Sequence, residues 1–140
     1  MKRLGIAVVF LAILFSATIL FSAEPDASTP AVSAAKNWLG LVDAGKYSES
    51  WAQAAELFRN AVSQAQWEQS LAAVRKPLGA LISREVLSAV PMKQLPGAPD
   101  GDYVVIQFKT SFSNKKETVE TVTPMKEKDG SWRVSGYYIH

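Results

Sequence analysis

Apolar and polar positions repeat with two different periods along this chain, and the period changes near Ala80. Before that residue, apolar side chains recur every three or four positions, which is typical of helices with one buried face. Ser63 and Gln66 fit a capping box at the start of the last helical stretch. The pattern therefore predicts three helices, over residues 30–42, 46–62 and 64–78.

After Ala80, apolar residues alternate with polar ones, as they do in strands. The clearest alternation covers residues 103–112, where one face is formed by Val104, Ile106, Phe108, Thr110 and Phe112. Turn signals at Asn114 and at Asp129-Gly130 predict hairpins. Four strands are expected, over residues 81–90, 103–112, 117–125 and 132–139.

The order of helices followed by strands predicts an α+β fold, with the three helices packed on one face of a curved four-stranded antiparallel sheet. The third strand alternates Thr, Val and Glu, so one of its faces is expected to be wet. The last strand is expected to place Val134 and Tyr138 on one face and Tyr137 and Ile139 on the other. Both faces would then be partly apolar, which predicts a partner on the outer face, most simply a second copy in a homodimer.

The N-terminus has the layout of an export signal. Lys2 and Arg3 precede an uncharged apolar run over residues 4–23, predicted as a leader helix. We interpret residues 1–23 as a signal peptide, 24–29 as a linker and 30–140 as one domain. The run is also long enough to span a bilayer, so an uncleaved inner-membrane anchor is the alternative. Both interpretations predict an exported protein, either periplasmic or secreted, with membrane contact only through the leader.

Charge and composition exclude several classes of function. Lys2 and Arg3 account for the excess of 15 basic over 13 acidic residues, so the rest of the chain is balanced and nucleic acid is not an expected partner. With no cysteine and only one histidine, the terminal His140, neither a typical zinc site nor a serine–histidine triad is expected. No cofactor is predicted.

Several separated segments together resemble one known family, small secreted bacterial proteins called the domain of unknown function 4019 family. The segments that carry the resemblance are Trp38-Leu39, Leu41 to Tyr47, Ser50-Trp51, Trp67, Arg75 to Gly79, Ser83-Arg84, Pro96 to Tyr103, Phe112 to Lys115 and Asp129 to Tyr138. The resemblance implies a cone-shaped domain similar to the nuclear-transport-factor-2 (cystatin-like) type, in which a curved sheet wraps a long helix and can leave a pocket. It supplies no catalytic residues, because the family has no established activity.

Enzymes of this cone type pair a buried carboxylate with a hydroxyl donor. The candidate bases in this chain are Asp43, Asp102 and Glu85, and the candidate donors are Tyr103 and Tyr138. Simpler interpretations are preferred: Asp43 bonds the local backbone of its turn, Asp102 follows a turn, and Glu85 forms a solvated pair with Arg84.

Arg75 lies at the margin of the third apolar stripe. It is interpreted either as an anchor for an anionic ligand or as a cation that favours a helix C-terminus. A ligand pocket, if the cone leaves one, is predicted to involve Trp51, Arg75, Phe108 and Tyr138, although tryptophans at stripe positions more often fill the core.

Two functions follow as hypotheses. The preferred one is a non-enzymatic module that binds a small ligand or an envelope protein. The alternative is a small isomerase- or hydratase-like enzyme that uses a buried carboxylate.

Overall fold

A computed structural model describes residues 28–140, and these form four helices followed by four strands. The helices are α1 (Ser28–Asp43), α2 (Tyr47–Ala52), α3 (Glu56–Ala61) and α4 (Gln64–Leu78). The strands are β1 (Leu81–Met92), β2 (Tyr103–Phe112), β3 (Lys115–Lys126) and β4 (Trp132–Ile139). The predicted leader, residues 1–23, lies outside the described residues. Within the described range, no helix combines the length and hydropathy that crossing a membrane requires.

The strands form one antiparallel sheet in the order β1-β2-β3-β4, so each strand pairs with the next one along the chain. Both tight connections fall at the predicted hairpins, and Gly130 adopts the positive φ of 89° that its turn requires. The α+β fold with helices packed against an antiparallel sheet is confirmed.

Local signals set the limits of α4. The Ser63 hydroxyl accepts from the Gln66 amide at 3.2 Å, and the Gln66 side chain accepts from the Ser63 amide at 3.2 Å, which completes the predicted capping box. At the other end, Gly79 has a φ of 81°. The Asn114 side chain, at the β2–β3 hairpin, donates to the carbonyl of Pro77 at 3.0 Å and ties the helix end to the sheet.

The single helix predicted over 46–62 is instead two short helices, α2 and α3, and that prediction is wrong. At the break, Ala55 is extended, and its amide donates to the Val134 carbonyl of β4 at 2.8 Å. Ala54 and Ala55 are completely buried there. Packing against β4 therefore overrides a helical propensity that alanine would otherwise favour.

The core lies between α1, α4 and the inner face of the sheet. The five side chains predicted to share one face of β2 form its inner face, since all of them are at most 1% exposed. Trp38 and Trp67 pack into the same core. Ser50 joins these elements, because its carbonyl accepts from the Trp38 indole at 2.8 Å and its hydroxyl accepts from the Trp67 indole at 2.9 Å.

Two strand predictions need correction. β3 has no wet face along its central residues, where Glu120 is fully buried and Thr121 is 3% exposed. In β4, a register shift opposite Thr123 and Pro124 brings Val134 and Tyr137 to the same core, while Tyr138 is 60% exposed. A shift of one residue reverses the faces of a strand, so simple alternation misplaced these side chains.

Candidate functional site

A buried ion pair on the inner face of the sheet is the centre of the candidate site. Glu120 lies in β3 with no exposed surface, and Arg84 reaches it from β1. Nε of Arg84 donates to one carboxylate oxygen at 2.6 Å, and Nη2 donates to the other at 3.2 Å. The fork of the guanidinium matches both oxygens, which is the strong geometry for this pair.

Two hydroxyl groups complete the surroundings of Glu120. Thr110 of β2 donates to Oε1 at 2.6 Å, and Tyr137 of β4 donates to Oε2 at 2.5 Å. Each carboxylate oxygen therefore accepts two hydrogen bonds, which fills the acceptor capacity of an ionised carboxylate. Side chains from all four strands meet at this one group.

Asp43, the last residue of α1, extends the cluster to the helices. Its carboxylate accepts from Arg84 at 2.7 and 3.0 Å and from Arg75 of α4 at 3.0 Å. The interpretation of Asp43 as a partner of its local backbone is therefore replaced by two long-range ion pairs. Arg84 is likewise no solvated surface residue, because its side chain is 11% exposed and bridges both acids.

Arg75 is the least satisfied member of the cluster. The side chain is 5% exposed, and its Cζ lies 4.7 Å from the centroid of the Phe112 ring, in cation–π contact. Nη2 bonds Asp43, but Nε and Nη1 are buried without a hydrogen-bond partner among the described residues. Buried donors of this kind are uncommon, because each loses its hydration without replacement.

The cluster perturbs the titration of two of its members. Burial acts to lower the pKa of Arg84, but its hydrogen bonds to Asp43 and Glu120 outweigh that effect and raise the pKa above the ordinary value. Burial, and then the charge and hydrogen bond of Glu120, raise the pKa of Tyr137 well above its usual range. Arg75 and Arg84 partly oppose that rise through their positive charges. Both groups therefore keep their protons at neutral pH.

An open cleft of about 260 Å³ lies between α4 and the end of β4, next to this cluster. Its lining residues are Trp67, Ser70, Leu71, Val74, Tyr137, Tyr138 and Ile139. The Tyr137 side chain belongs to both features, because it lines the cleft while its hydroxyl bonds Glu120. On α4, Leu71 lies one turn before Arg75 on the same buried face of the helix, whereas Val74 is on an exposed face.

A second cleft, of about 240 Å³, lies between α1 and the start of β4 and is lined in part by Asn37, Gln53 and Arg133. The cation that lines this cleft, Arg133, already has hydrogen-bond partners: it donates to the Gln53 carbonyl at 3.3 Å and to the Ser131 hydroxyl at 3.4 Å. The more apolar cleft beside the buried cluster is therefore the better candidate for a ligand.

The four residues predicted for a pocket fall in different surroundings. Arg75 is in the buried cluster and Tyr138 lines the α4–β4 cleft. Phe108 is fully enclosed in the core and so cannot line an open cleft. The Trp51 indole donates to the Val62 carbonyl at 2.8 Å and closes the end of α3.

The carboxylates and hydroxyls proposed from the sequence for catalysis do not converge. Glu85 is exposed on β1 opposite Lys109. Asp102 is an exposed partner of Lys93, whose hydrogen bond lowers the pKa of that carboxyl. The buried Tyr103 hydroxyl donates to the Pro99 carbonyl at 2.6 Å. His140 stacks on the exposed Tyr138 ring, and residues 28–140 contain no cluster of His, Asp and Glu that could hold a metal ion.

Arg84, Glu120, Thr110 and Tyr137 are the site residues that the sequence pattern did not reveal. The sequence offered one signal, because Glu120 lies two residues before Val122 and shares its face of the strand. That signal was ambiguous, since Val119 predicts the opposite face with equal force.

The fold and the cluster define a small α+β domain whose helices cover a four-stranded meander, with buried charges between the two layers. The family model of proteins of unknown function DUF4019 matches residues 34–137, and the chain belongs to this family. A comparison with curated proteins found no match. The similarity to the nuclear-transport-factor-2 type stays a prediction.

Proposed function

We propose that this protein is an exported, non-enzymatic module that binds a small ligand in the α4–β4 cleft. The cleft itself is the observation that carries the proposal. The support for export is the basic start and the apolar run of residues 4–23 in the sequence.

The lining of the cleft suits an amphipathic ligand. Small-molecule sites are typically concave and mostly apolar, with a few polar groups that fix orientation. Trp67 and Leu71 form apolar walls that are held by the core, so they are preorganised. Val74 and Tyr138 are 47% and 60% exposed, and binding would cover apolar surface that now faces water.

A buried carboxylate was the expected mark of the enzyme alternative, and Glu120 is such a group. Its surroundings nevertheless disfavour a role as general base. A base must accept a proton from substrate, but both oxygens of Glu120 already accept two hydrogen bonds and face a permanent cation. The cluster is better suited to holding the cleft wall in place.

Native mass spectrometry of the protein, expressed as the full chain and purified from the cell envelope, tests the proposal. We expect a mass above that of the polypeptide, corresponding to a retained small molecule. Ser70→Trp places a large ring in the cleft and should abolish the added mass. Gln69→Trp puts the same ring on the adjacent exposed position of α4, outside the cleft lining, and should retain it.

If the spectrum shows no retained molecule, the wild-type protein and both variants are titrated with small carboxylates and alcohols. If no compound binds, or if Ser70→Trp binds as well as Gln69→Trp, the α4–β4 cleft is not a ligand site.

The exposed surface of β1 supports a second candidate, binding of another copy of the chain. β1 is an edge of the sheet, and among the described residues only β2 pairs with it. Its exposed apolar side chains include Ile82, Leu87 and Val90, at 54%, 53% and 48%. Long apolar edges favour pairing with another strand, and β1 of a second copy offers an equally long one.

This second candidate places the interface of the predicted homodimer at the β1 edge and not on the outer sheet face. The same native mass spectra report the oligomeric state. A dimer that Leu87→Lys dissociates and Lys109→Glu leaves intact would support edge pairing, because only the first places a charge on the exposed edge. A wild-type monomer at micromolar concentration would contradict it.

A further inference from the structure

The walls of the α4–β4 cleft carry no charge at neutral pH. Four residues of α4 and three of β4 form its described lining, and none of them is an aspartate, glutamate, lysine, arginine or histidine. The Tyr137 phenol in this lining keeps its proton, because burial and Glu120 raise its pKa. A ligand in the cleft therefore meets apolar surface and neutral polar groups.

Two of the polar groups in the lining are already engaged in hydrogen bonds. The Trp67 indole donates to the Ser50 hydroxyl at 2.9 Å, and the Tyr137 phenol donates to Glu120 at 2.5 Å, so neither proton is free for a ligand. The hydroxyls of Ser70 and Tyr138 make no hydrogen bond to a described residue. The lining thus offers a ligand one or two neutral hydrogen bonds and no ion pair.

The buried ion cluster next to the cleft adds no net charge. Its two cations, Arg75 and Arg84, are paired with its two anions, Asp43 and Glu120. Arg75 is buried and lies outside the cleft lining. An ion that entered the cleft would therefore lose part of its hydration without gaining an opposite charge, and such burial is costly.

We propose that the ligand of this cleft is an uncharged amphipathic molecule of the alcohol class. Its apolar part packs against Trp67 and Leu71, and its polar group meets the free hydroxyls of Ser70 and Tyr138. This inference rests on the proposed binding function and names the chemical class of the ligand.

The volume of the cleft limits the size of the ligand. At roughly 30 Å³ for each water-sized group, about 260 Å³ holds on the order of nine non-hydrogen atoms. A molecule of that size fills the cleft, so its polar end is partly removed from water. 1-Octanol is a suitable neutral probe, and octanoate and octylammonium are its anionic and cationic counterparts of nearly equal length.

Isothermal titration of the full-length protein with the three probes at neutral pH separates the effect of charge from that of the apolar chain. We expect 1-octanol to bind about tenfold more tightly than either ion, because the cleft replaces part of each ion's hydration with uncharged walls. A preference against both signs of charge is the expected signature, since a cleft with a hidden charge would favour one of the two ions.

A charge placed in the lining should reverse this preference. Val74 lines the cleft and is 47% exposed, so Val74→Lys is compatible with folding. This variant should bind octanoate more tightly than 1-octanol, since its ammonium group supplies the missing partner. Ala73→Lys adds the same charge at the adjacent exposed position outside the lining and should keep the wild-type preference.

The outcomes separate the ligand class from the site. If wild-type protein binds either ion as tightly as 1-octanol, the neutral assignment is overturned while the cleft remains a binding site. If Val74→Lys changes the preference no more than Ala73→Lys does, the probes bind elsewhere and the assignment fails as well. Failure of all three probes to bind would overturn the assignment and count against the proposed function.

Discussion

Arg84 and Glu120 form a two-point ion pair across the sheet, from β1 to β3, with hydrogen bonds of 2.6 and 3.2 Å. The strand between them, β2, contributes the Thr110 hydroxyl to the same carboxylate. Forming a buried pair costs desolvation free energy. Removing one partner destabilises the fold strongly, because the other charge is left buried and uncompensated. The pair therefore fixes how β1, β2 and β3 are aligned.

Glu120→Ala should strongly destabilise the fold. It leaves Arg84 with only Asp43 and strands the Tyr137 and Thr110 hydroxyls, so we expect a loss of about 3–5 kcal/mol in the free energy of unfolding. Urea denaturation followed by circular dichroism measures it. Glu117→Ala, at an exposed position of the same strand, is the control and should change stability by no more than about 0.5 kcal/mol. A loss below about 1 kcal/mol for Glu120→Ala would show that the buried pair stabilises the fold no more than a surface ion pair does, and would contradict this account.

The raised pKa of Tyr137 predicts a loss of stability at alkaline pH. The folded chain retains the phenol proton, whereas the unfolded chain releases it above about pH 10. The stabilisation is thus complete below pH 10 and declines above it, by about 1.4 kcal/mol per pH unit for one such group.

Tyr137→Phe removes that titration and should flatten the decline measured by urea denaturation between pH 9 and 11. The adjacent, exposed Tyr138→Phe serves as the control and should leave it unchanged. An identical alkaline decline in wild type and Tyr137→Phe would show that Tyr137 does not titrate differently in the folded chain.

The Ser50 hydroxyl is the acceptor for the buried Trp67 indole, at 2.9 Å. Ser50→Ala leaves that N–H unsatisfied, and we expect a cost of about 1–3 kcal/mol. Ser48→Ala removes an exposed hydroxyl from the same helix and should have little effect. Thermal unfolding compares the two variants, and equal midpoints would contradict the role assigned to Ser50.

Two glycines should respond to alanine in opposite directions. Gly79 combines a φ of 81° with a ψ of −157°, a region that side chains avoid, and an added Cβ would collide with Ser113. Gly79→Ala should therefore cost about 1–3 kcal/mol. Gly40 lies within α1 with open space around it, so Gly40→Ala should stabilise by up to about 1 kcal/mol. Unfolding midpoints that move in the same direction would contradict this account.

The parts of the fold that could be predicted depend on neighbouring residues. The capping box at Ser63 and the alternation over β2 are local patterns, and both occur as predicted. The break at Ala55 depends on Val134, which is 79 residues away, so no local pattern signals it. Tertiary contacts of this kind override propensity.

The candidate site was harder to predict for the same reason. Arg84 is 36 residues from Glu120 and 41 from Asp43, and only the folded sheet brings the three together. Asp43 and Arg75 each stand out in the sequence, one in a helix-ending turn and one at the margin of an apolar stripe, but neither local pattern predicts their pairing across 32 residues. Glu120 looked like one of several wet-face residues because a single strand does not reveal which of its faces is covered.

The central claim is that the α4–β4 cleft binds a small ligand, and the indole resonances of the four tryptophans test it most directly. Trp67 lines the cleft, whereas the Trp51 indole is bonded to Val62 and lies outside its lining. Titration with octanoate or with its neutral counterpart 1-octanol, followed in ¹H–¹⁵N correlation spectra, should shift the Trp67 cross-peak in a saturable way and leave that of Trp51 in place. A Trp67 cross-peak that stays fixed at millimolar concentrations of both compounds, or that moves no more than that of Trp51, would contradict the claim.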